Sequence, residues 1–205
     1  MLKKISYFHY IYISVIVLLL TAVILLSISK KEEVQELDSV EQYYQNKCDS
    51  FAVQKINLSK GQIVFIGDSI TDLYPLDDYY ADLDLATYNR GIGADTTSGV
   101  LNRLKVSLFD IQPSKIVLLI GTNDINGKVD NSKIIANYRE ILNKIKTELP
   151  NTHIYCVSIP PQNLMLETYS TIKVAETTKT ILQINAQLKQ MVENEVNITY
   201  VNLFS

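Results

Sequence analysis

The part of the chain after Ser59 alternates between short apolar runs and longer segments with helical periodicity. The apolar runs predict five β-strands, at residues 63–66, 87–89, 115–120, 153–159 and 198–203. Apolar residues recur every three or four positions in three further segments, which predicts helices at residues 97–109, 131–149 and 172–196. Parallel strands joined by crossover helices form a sheet that is covered on both faces. The sequence therefore predicts a three-layer α/β/α domain.

The first thirty residues are the most apolar part of the chain. Residues 5–29 contain no Asp, Glu, Lys or Arg, and residues 11–28 are dominated by Ile, Leu and Val. At about 1.5 Å per residue, such a helix is long enough to span a hydrocarbon core of about 30 Å. We therefore expect a membrane anchor at residues 1–29, inserted through residues 5–29. A cleaved signal peptide stays open as an alternative, because it also begins with an apolar run.

Charged residues on either side of this span indicate its orientation. Two lysines lie on each side, and the second pair is followed at once by two glutamates. The slight basic bias before the span predicts a single-pass protein of the cell membrane, with a cytoplasmic N-terminus and an extracytoplasmic domain. Residues 30–61 then combine charges with apolar residues at helical spacing. We expect a stalk helix there, leading into a domain at residues 62–205.

Composition argues against several other classes of protein. The net charge is only −3, and Gly and Pro number seven and five in 205 residues, which argues against nucleic-acid binding and low complexity. Two cysteines cannot form a disulfide framework, although a pairing of Cys48 with Cys156 stays open. The histidines and cysteines lack metal-ligand spacing, and the turn at Gly91 and Gly93 lacks the third glycine of a dinucleotide fingerprint. We expect neither a metal nor a cofactor.

Polar, glycine-containing turns follow the first three predicted strands, at residues 67–71, 89–97 and 121–124. Carboxyl ends of parallel strands meet at one edge of a sheet, where ligands bind. A serine that leaves a strand in a tight turn before a helix exposes its hydroxyl, which suits a nucleophile that attacks a carbonyl. Taken alone, Ser69 would more often be a helix N-cap, and Asn123 a cap or turn residue. Three such turns in order favour a catalytic site.

The sequences of these turns are IVFIGDSIT, NRGIGADTT with GVLNRL, and IVLLIGTNDI. They resemble the first three blocks of the SGNH (GDSL) hydrolase family of esterases and acylhydrolases. The resemblance extends in order over residues 62–205 and includes the SIPP segment at residues 158–161. It implies a flavodoxin-like, five-stranded parallel sheet of order 2-1-3-4-5. It also implies a serine hydrolase of acyl or O-acetyl esters, acting on a small molecule, glycan or lipid through an acyl-enzyme.

The resemblance assigns roles to three residues. Ser69 is the nucleophile, and the oxyanion donors are its own amide, the backbone N–H of Ala94 and the side-chain amide of Asn123. The family has glycine where this chain has Ala94; alanine keeps the N–H, but a positive φ there would reduce stability. We expect supporting roles for the neighbouring residues Gly67, Asp68, Asn89, Gly93, Asp95, Gly121 and Asp124. Selectivity would depend on loops such as residues 73–84 and 162–170.

The family's catalytic base is the histidine of an Asp-x-x-His block that follows the fifth strand, and the 205 residues contain no such block. His9 lies in or beside the apolar span, and His153 opens the fourth strand, about 20 Å from the catalytic edge. We therefore expect a C-terminally truncated domain with impaired hydrolysis and an exposed apolar sheet surface. Two alternatives stay open. A partner chain could complete the site, or the protein could be an inactive, anchored module that binds acylated glycan or lipid.

Overall fold

A computed structural model describes residues 2–161 and 171–203. The chain divides into two compact units, Met1–Tyr43 and Tyr44–Ser205. Helix α1 (Leu2–Gln54) forms the first unit and continues into the second, where a 3-10 turn at Lys55–Asn57 follows it. The predicted anchor and most of the predicted stalk thus lie in one helix, and the second compact unit begins within the predicted stalk.

The apolar part of α1 is long enough to cross a membrane. Its best 18-residue window has a mean hydropathy of 2.0, and none of that window is buried. A signal sequence near the N-terminus would meet the same criterion. The structure therefore establishes one apolar N-terminal helix.

The second unit contains a five-stranded parallel sheet of order β2-β1-β3-β4-β5. The strands are β1 (Ile63–Gly67), β2 (Thr87–Gly91), β3 (Lys115–Leu119), β4 (His153–Val157) and β5 (Ile198–Val201). This order confirms the predicted flavodoxin-like topology. The chain order reverses at β1, which has β2 on one side and β3 on the other, so β1 ends at the topological switch point.

Six further helices connect or flank the strands. They are α2 (Ser69–Asp72), α3 (Leu76–Tyr80), α4 (Thr97–Leu104), α5 (Thr122–Asn126), α6 (Asn131–Glu148) and α7 (Thr171–Val192). The predicted helix at 97–109 is α4 followed by a π-helical turn at Lys105–Phe109. The predicted selectivity loop at 162–170 lies outside the described residues. The other, at 73–84, contains α3.

The two faces of the sheet are buried to different extents. One face carries Val64, Ile66, Ile116, Leu118, Ile154 and Cys156, which are almost completely buried in a core shared with α4, α6 and α7. On the other face Tyr80 of α3 packs against Phe65, with ring centroids 5.2 Å apart. Phe65, Val117 and Tyr155 are only half-buried there and line a groove of about 560 Å³. Apolar sheet surface is therefore accessible, on the face away from the main core.

The two cysteines are in different environments. Cys156 is buried in β4, Cys48 is half-buried in α1, and both are free thiols. The Cys48–Cys156 pairing that the sequence left open is not formed.

Candidate active site

Ser69 is the first residue of α2 and follows β1 after a single intervening residue, Asp68. The N-cap of α2 is Asp68, whose Oδ1 accepts a hydrogen bond from the Ile70 amide at 3.0 Å. The cap is thus provided by the residue before the serine, so the interpretation of Ser69 as a mere N-cap is wrong. Its hydroxyl makes no hydrogen bond to any other described residue. Ser69 is half-buried at the carboxyl end of β1, where a nucleophile can meet a ligand.

Asp68 is completely buried next to the serine. Burial raises the pKa of its carboxyl to about 6; the Ile70 amide opposes this shift, and the charge of Asp95 adds to it. Its second oxygen, Oδ2, is buried without a hydrogen-bond partner among the described residues. A carboxyl that titrates near neutral pH therefore lies directly beside the candidate nucleophile.

Ala94 lies at the tip of the loop after β2, with its side chain exposed. Its φ is +62°, in the left-handed region, so the positive φ considered from the sequence is the one adopted. This conformation costs an L-residue other than glycine about 1–2 kcal/mol. On one side of Ala94 the Gly93 amide donates to Asp72 Oδ2 at 3.1 Å, and on the other the Asp95 amide donates to the Ile92 carbonyl at 3.2 Å. These two bonds hold the strained loop in place.

Asn123 connects the third turn to this loop. It lies in the first turn of α5, whose N-cap Gly121 has a φ of +118° that glycine adopts readily. The Asn123 side-chain amide donates to the Asp95 carbonyl at 2.8 Å. That bond uses one hydrogen of the amide, and the other can donate to a ligand. The structure thus joins the turns that contain two of the predicted oxyanion donors.

Hydrogen bonds of Asp124 and Asn89 connect the turns to neighbouring elements. Buried Asp124 accepts from the Thr97 amide at 2.9 Å and from the Thr97 hydroxyl at 2.6 Å, which ties α5 to the start of α4. Asn89 donates to the Thr71 carbonyl at 2.7 Å and accepts from the Gly91 amide at 2.8 Å, which ties β2 to α2. The supporting roles of both residues stay predictions.

Arg103 connects the elements of the candidate site, and the sequence reasoning did not single it out. It is buried in α4, and its guanidinium donates to Asp95 Oδ2 at 2.8 Å, to the Gly67 carbonyl at 3.0 Å and to the Arg90 carbonyl at 2.8 Å. Burial raises the pKa of Asp95, and the Arg103 charge opposes that shift. One side chain thereby fixes the ends of β1 and β2 and the loop of Ala94. A charged residue on the apolar face of α4, three residues after Val100, is the signal that could have revealed it.

Asn137 was also missed by sequence reasoning. It is buried on α6 and donates to the Thr97 hydroxyl at 2.8 Å, so it extends the Asp124–Thr97 network. A lone asparagine within a helix pattern gives no indication of such a partner.

Residues 44–205 contain one histidine, His153. It is the first residue of β4, in register with Lys115 of β3, which is itself in register with Ile63 at the start of β1. His153 therefore lies at the opposite end of the sheet from Ser69, and its Nε2 contacts the Thr199 hydroxyl at 2.9 Å. Within residues 44–205 the candidate site has a serine and the predicted oxyanion donors, and no imidazole beside the serine. No group of three His, Cys, Asp or Glu among the described residues could hold a metal ion.

The second unit is a flavodoxin-like α/β fold with a serine in the turn at its switch point. The chain belongs to the GDSL-like Lipase/Acylhydrolase family, whose sequence model matches residues 65–205. It is 32% identical over 103 residues to the platelet-activating factor acetylhydrolase IB subunit alpha2 of Homo sapiens. That match covers 49% of this chain and 44% of the human protein, so the chain spans less than half the length of this relative.

Solved structures share the fold. A protein from Streptococcus pneumoniae described as a platelet activating factor has a TM-score of 0.74 and 28% identity, covering 83% of this chain and 80% of its own. A GDSL-like lipase from Bacteroides thetaiotaomicron has a TM-score of 0.63 and 18% identity, covering 76% and 77%. The second similarity, at that identity, establishes the fold alone.

Proposed function

We propose that this protein is a membrane-anchored serine ester hydrolase that acts through an acyl-enzyme on Ser69. The observation that carries the proposal is that the first turn uses one residue to cap α2 and leaves the hydroxyl of the next residue available. Asp68 caps α2, which leaves the Ser69 hydroxyl at the switch point without a structural partner among the described residues. The Asn123–Asp95 bond brings the neighbouring donors to the same edge of the sheet.

In the proposed reaction the Ser69 Oγ adds to the ester carbonyl, the hydroxyl proton passes to solvent, and the carbonyl oxygen becomes an oxyanion. The amides of Ser69 and Ala94 and the side chain of Asn123 donate hydrogen bonds to it. The oxyanion collapses, the C–O bond to the alcohol breaks, and the alcohol takes up a proton from solvent; water then hydrolyses the acyl group from Ser69. Loss of one donor of this kind typically lowers kcat by about 10²–10³.

The general base in serine hydrolysis is most often a histidine, and residues 44–205 contain one imidazole, that of the distant His153. We therefore propose that hydrolysis by these 205 residues is slow and depends on the oxyanion donors and on substrate binding. Such residual catalysis reaches about 10³–10⁴-fold over water in serine proteases that lack their triad. A further polypeptide that placed an aspartate and a histidine at this edge would complete the site.

We propose acetyl esters as the substrate class, carried by a small molecule, glycan or lipid. The support is the 32% identity over 103 residues to subunits that are named acetylhydrolases.

The proposal is tested with the full chain in detergent and a chromogenic acetyl ester. We expect slow turnover that Ser69→Ala abolishes. Ser98→Ala is the matched control, because Ser98 is exposed on α4 and has no place in the proposed reaction. Turnover that persists in Ser69→Ala would contradict the assignment of the nucleophile.

A second candidate function is an anchored module that binds acetylated glycan or lipid without hydrolysing it. The observation that favours it is the unpartnered Ser69 hydroxyl, with no imidazole nearby in residues 44–205. Calorimetry with an acetylated oligosaccharide would then show saturable binding and unchanged ligand. Turnover that depends on Ser69 rules this candidate out.

Membrane anchoring through residues 5–29, with the domain outside the cytoplasm, is supported by the apolar part of α1. We expect the full chain to stay in the membrane pellet after alkaline carbonate extraction. Replacing Leu18 and Leu25 by arginine should release it, because each arginine at the centre of a span costs about 2.5–3.5 kcal/mol. A shortened N-terminus in the intact mass of the mature protein would indicate a cleaved signal peptide instead.

A further inference from the structure

The last three turns of α1 carry a row of side chains that contact the rest of the second unit. The Tyr44 hydroxyl donates to the Gly99 carbonyl at 2.8 Å, and the Phe51 ring lies 4.4 Å from the Arg90 guanidinium carbon. The contacting residues recur at helical spacing: Tyr44, Lys47, Phe51, Gln54 and Lys55. This helical segment, residues 44–55, is therefore part of the domain that contains the candidate active site.

One contact of this segment leads to the site. Lys47 Nζ lies 2.6 Å from Asp72 Oδ1, and Asp72 Oδ2 accepts the Gly93 amide at 3.1 Å. The two side chains are 29% and 10% exposed, so the pair is partly shielded from water. A chain of two contacts thus runs from α1 through the last residue of α2 to the loop that contains Ala94.

The backbone is packed tightly where this chain of contacts reaches β2. A Cβ atom on Gly91 would lie 2.1 Å from the Asp72 amide nitrogen, which shows how closely the end of β2 approaches α2. Because Asp72 is fixed on this side, its carboxylate has little freedom to follow a displaced loop. The Gly93 amide is therefore held relative to Ser69, the first residue of the same short helix.

We propose that Lys47 and Asp72 are positioning residues for the oxyanion loop, defined as residues 91–95; this inference rests on the proposed function. The Asp72 carboxylate holds the Gly93 amide, and the next peptide carries the Ala94 N–H. Ala94 has an unfavourable left-handed φ of +62°, so the loop needs external contacts to keep that N–H oriented. The Lys47 ammonium orients the carboxylate. It also offsets a negative charge that would otherwise oppose the developing oxyanion.

A second ion pair, formed by the residue that directly follows α1, offers a matched control. Lys55 Nζ lies 2.6 Å from Asp110 Oδ2, and these side chains are 34% and 16% exposed. The N–O distance and the side-chain exposure of this pair therefore resemble those of the Lys47–Asp72 pair. Asp110 also forms a salt bridge with Lys105, at 2.7 Å, and it makes no hydrogen bond to the oxyanion loop among the described residues. Lys55→Met should reproduce the loss of an ion pair without an effect on the loop.

The test uses the full chain in detergent and phenylboronic acid, which forms a tetrahedral anion on a serine without a leaving group or turnover. The Ser69 Oγ lone pair forms the O–B bond, and the hydroxyl proton passes to solvent. We expect Lys47→Met and Asp72→Asn each to weaken boronate binding by about 5–10-fold, the loss of one charge-assisted contact. The double variant should be no weaker than the stronger single effect, and Lys55→Met should change binding less than about 2-fold. The thermal midpoints of Lys47→Met and Lys55→Met should fall by similar small amounts.

The outcomes separate the two proposals. Boronate binding that requires Ser69 but is unchanged in Lys47→Met and Asp72→Asn overturns the positioning role and leaves the proposed function intact. Equal weakening by Lys47→Met and Lys55→Met also overturns it, because the effect would then be one of general stability. Binding that is absent, or that persists in Ser69→Ala, overturns the proposed function and this inference with it.

Discussion

Arg90 and Arg103 lie next to each other and are both almost fully buried, 1% and 2% exposed, but their partners differ. Arg103 forms a salt bridge with Asp95 at 2.7 Å and donates to the carbonyls of Gly67 and Arg90. Arg90 donates one bond, to Gln54 at 2.7 Å, and its Nε and Nη2 are buried without a partner among the described residues. Burial, with the nearby Arg103 charge, lowers the pKa of Arg90 to about 10.

The difference shows two uses of a buried cation. Around Arg103, a carboxylate and backbone carbonyls converge, and the ends of β1 and β2 are joined to the oxyanion loop. Around Arg90, the Phe51 ring covers the guanidinium, and no carboxylate of the described residues pairs with its charge. A buried charge without a counter-ion carries a desolvation cost that a ring contact offsets only in part. Arg103 should therefore contribute much more to stability than Arg90.

Arg103→Met is expected to have the largest effect. It leaves Asp95 buried without its counter-ion and should lower the free energy of unfolding by about 3–5 kcal/mol. Urea denaturation of the full chain in detergent measures the change. Arg103→Lys keeps the charge but cannot bond Asp95 and both carbonyls at once, so its loss should be smaller. A loss below about 1 kcal/mol for Arg103→Met would contradict the comparison.

The comparison extends to two buried carboxyls. Asp95 forms a salt bridge with Arg103, whereas Asp68 has no cation partner among the described residues. The pKa of Asp68 is about 6 in the folded protein against 3.8 as the ordinary value. The folded state therefore binds the proton more tightly, and the free energy of unfolding should fall as the pH rises from about 4 to 6. The loss of stability from this single group is about 3 kcal/mol, and the loss is complete above the folded pKa.

Asp68→Asn removes this titration and keeps a good N-cap. Denaturation at pH 4 and pH 7 should show that the variant loses less stability than the parent between these values. The same pH dependence in both proteins would show that Asp68 does not titrate near 6.

Arg90→Met tests the other half of the comparison. Methionine fills a similar space against Phe51 and removes a buried charge that lacks a counter-ion. The free energy of unfolding should change by less than about 1 kcal/mol, by the same urea measurement. A loss as large as that of Arg103→Met would show that the Gln54 bond and the ring contact compensate the Arg90 charge.

Ala94→Gly should have the smallest effect on stability. Relief of the positive φ should raise the free energy of unfolding by about 0.5–1 kcal/mol, measured by thermal denaturation. Gln112→Gly is the control, because Gln112 is exposed, has a φ of +52° and lies outside the oxyanion loop. Both variants should be more stable than the parent. A destabilised Ala94→Gly would mean that the methyl group makes a contact that outweighs the strain.

The sequence predicted the sheet well because the apolar period of each segment depends on local chemistry. Runs such as that of β3 predict buried strands, and the glycine and serine that end β1 predict the turn at Ser69. The Arg103 contacts could not be predicted, because their partners come from β1, β2 and the loop after β2. The stalk pattern indicated an apolar helical face around Phe51 and gave no indication that the α/β domain would cover it.

The sequence by itself determined the order of the elements, the family and the three turns that form the candidate site. These features depend on periodicity and on short motifs, which are properties of neighbouring residues. Only the tertiary structure decided that Asp68 rather than Ser69 caps α2, that Ala94 adopts a positive φ, and that Lys47 reaches the oxyanion loop through Asp72. Each of these three features depends on hydrogen bonds and packing between different segments of the chain. A local sequence pattern therefore cannot specify them.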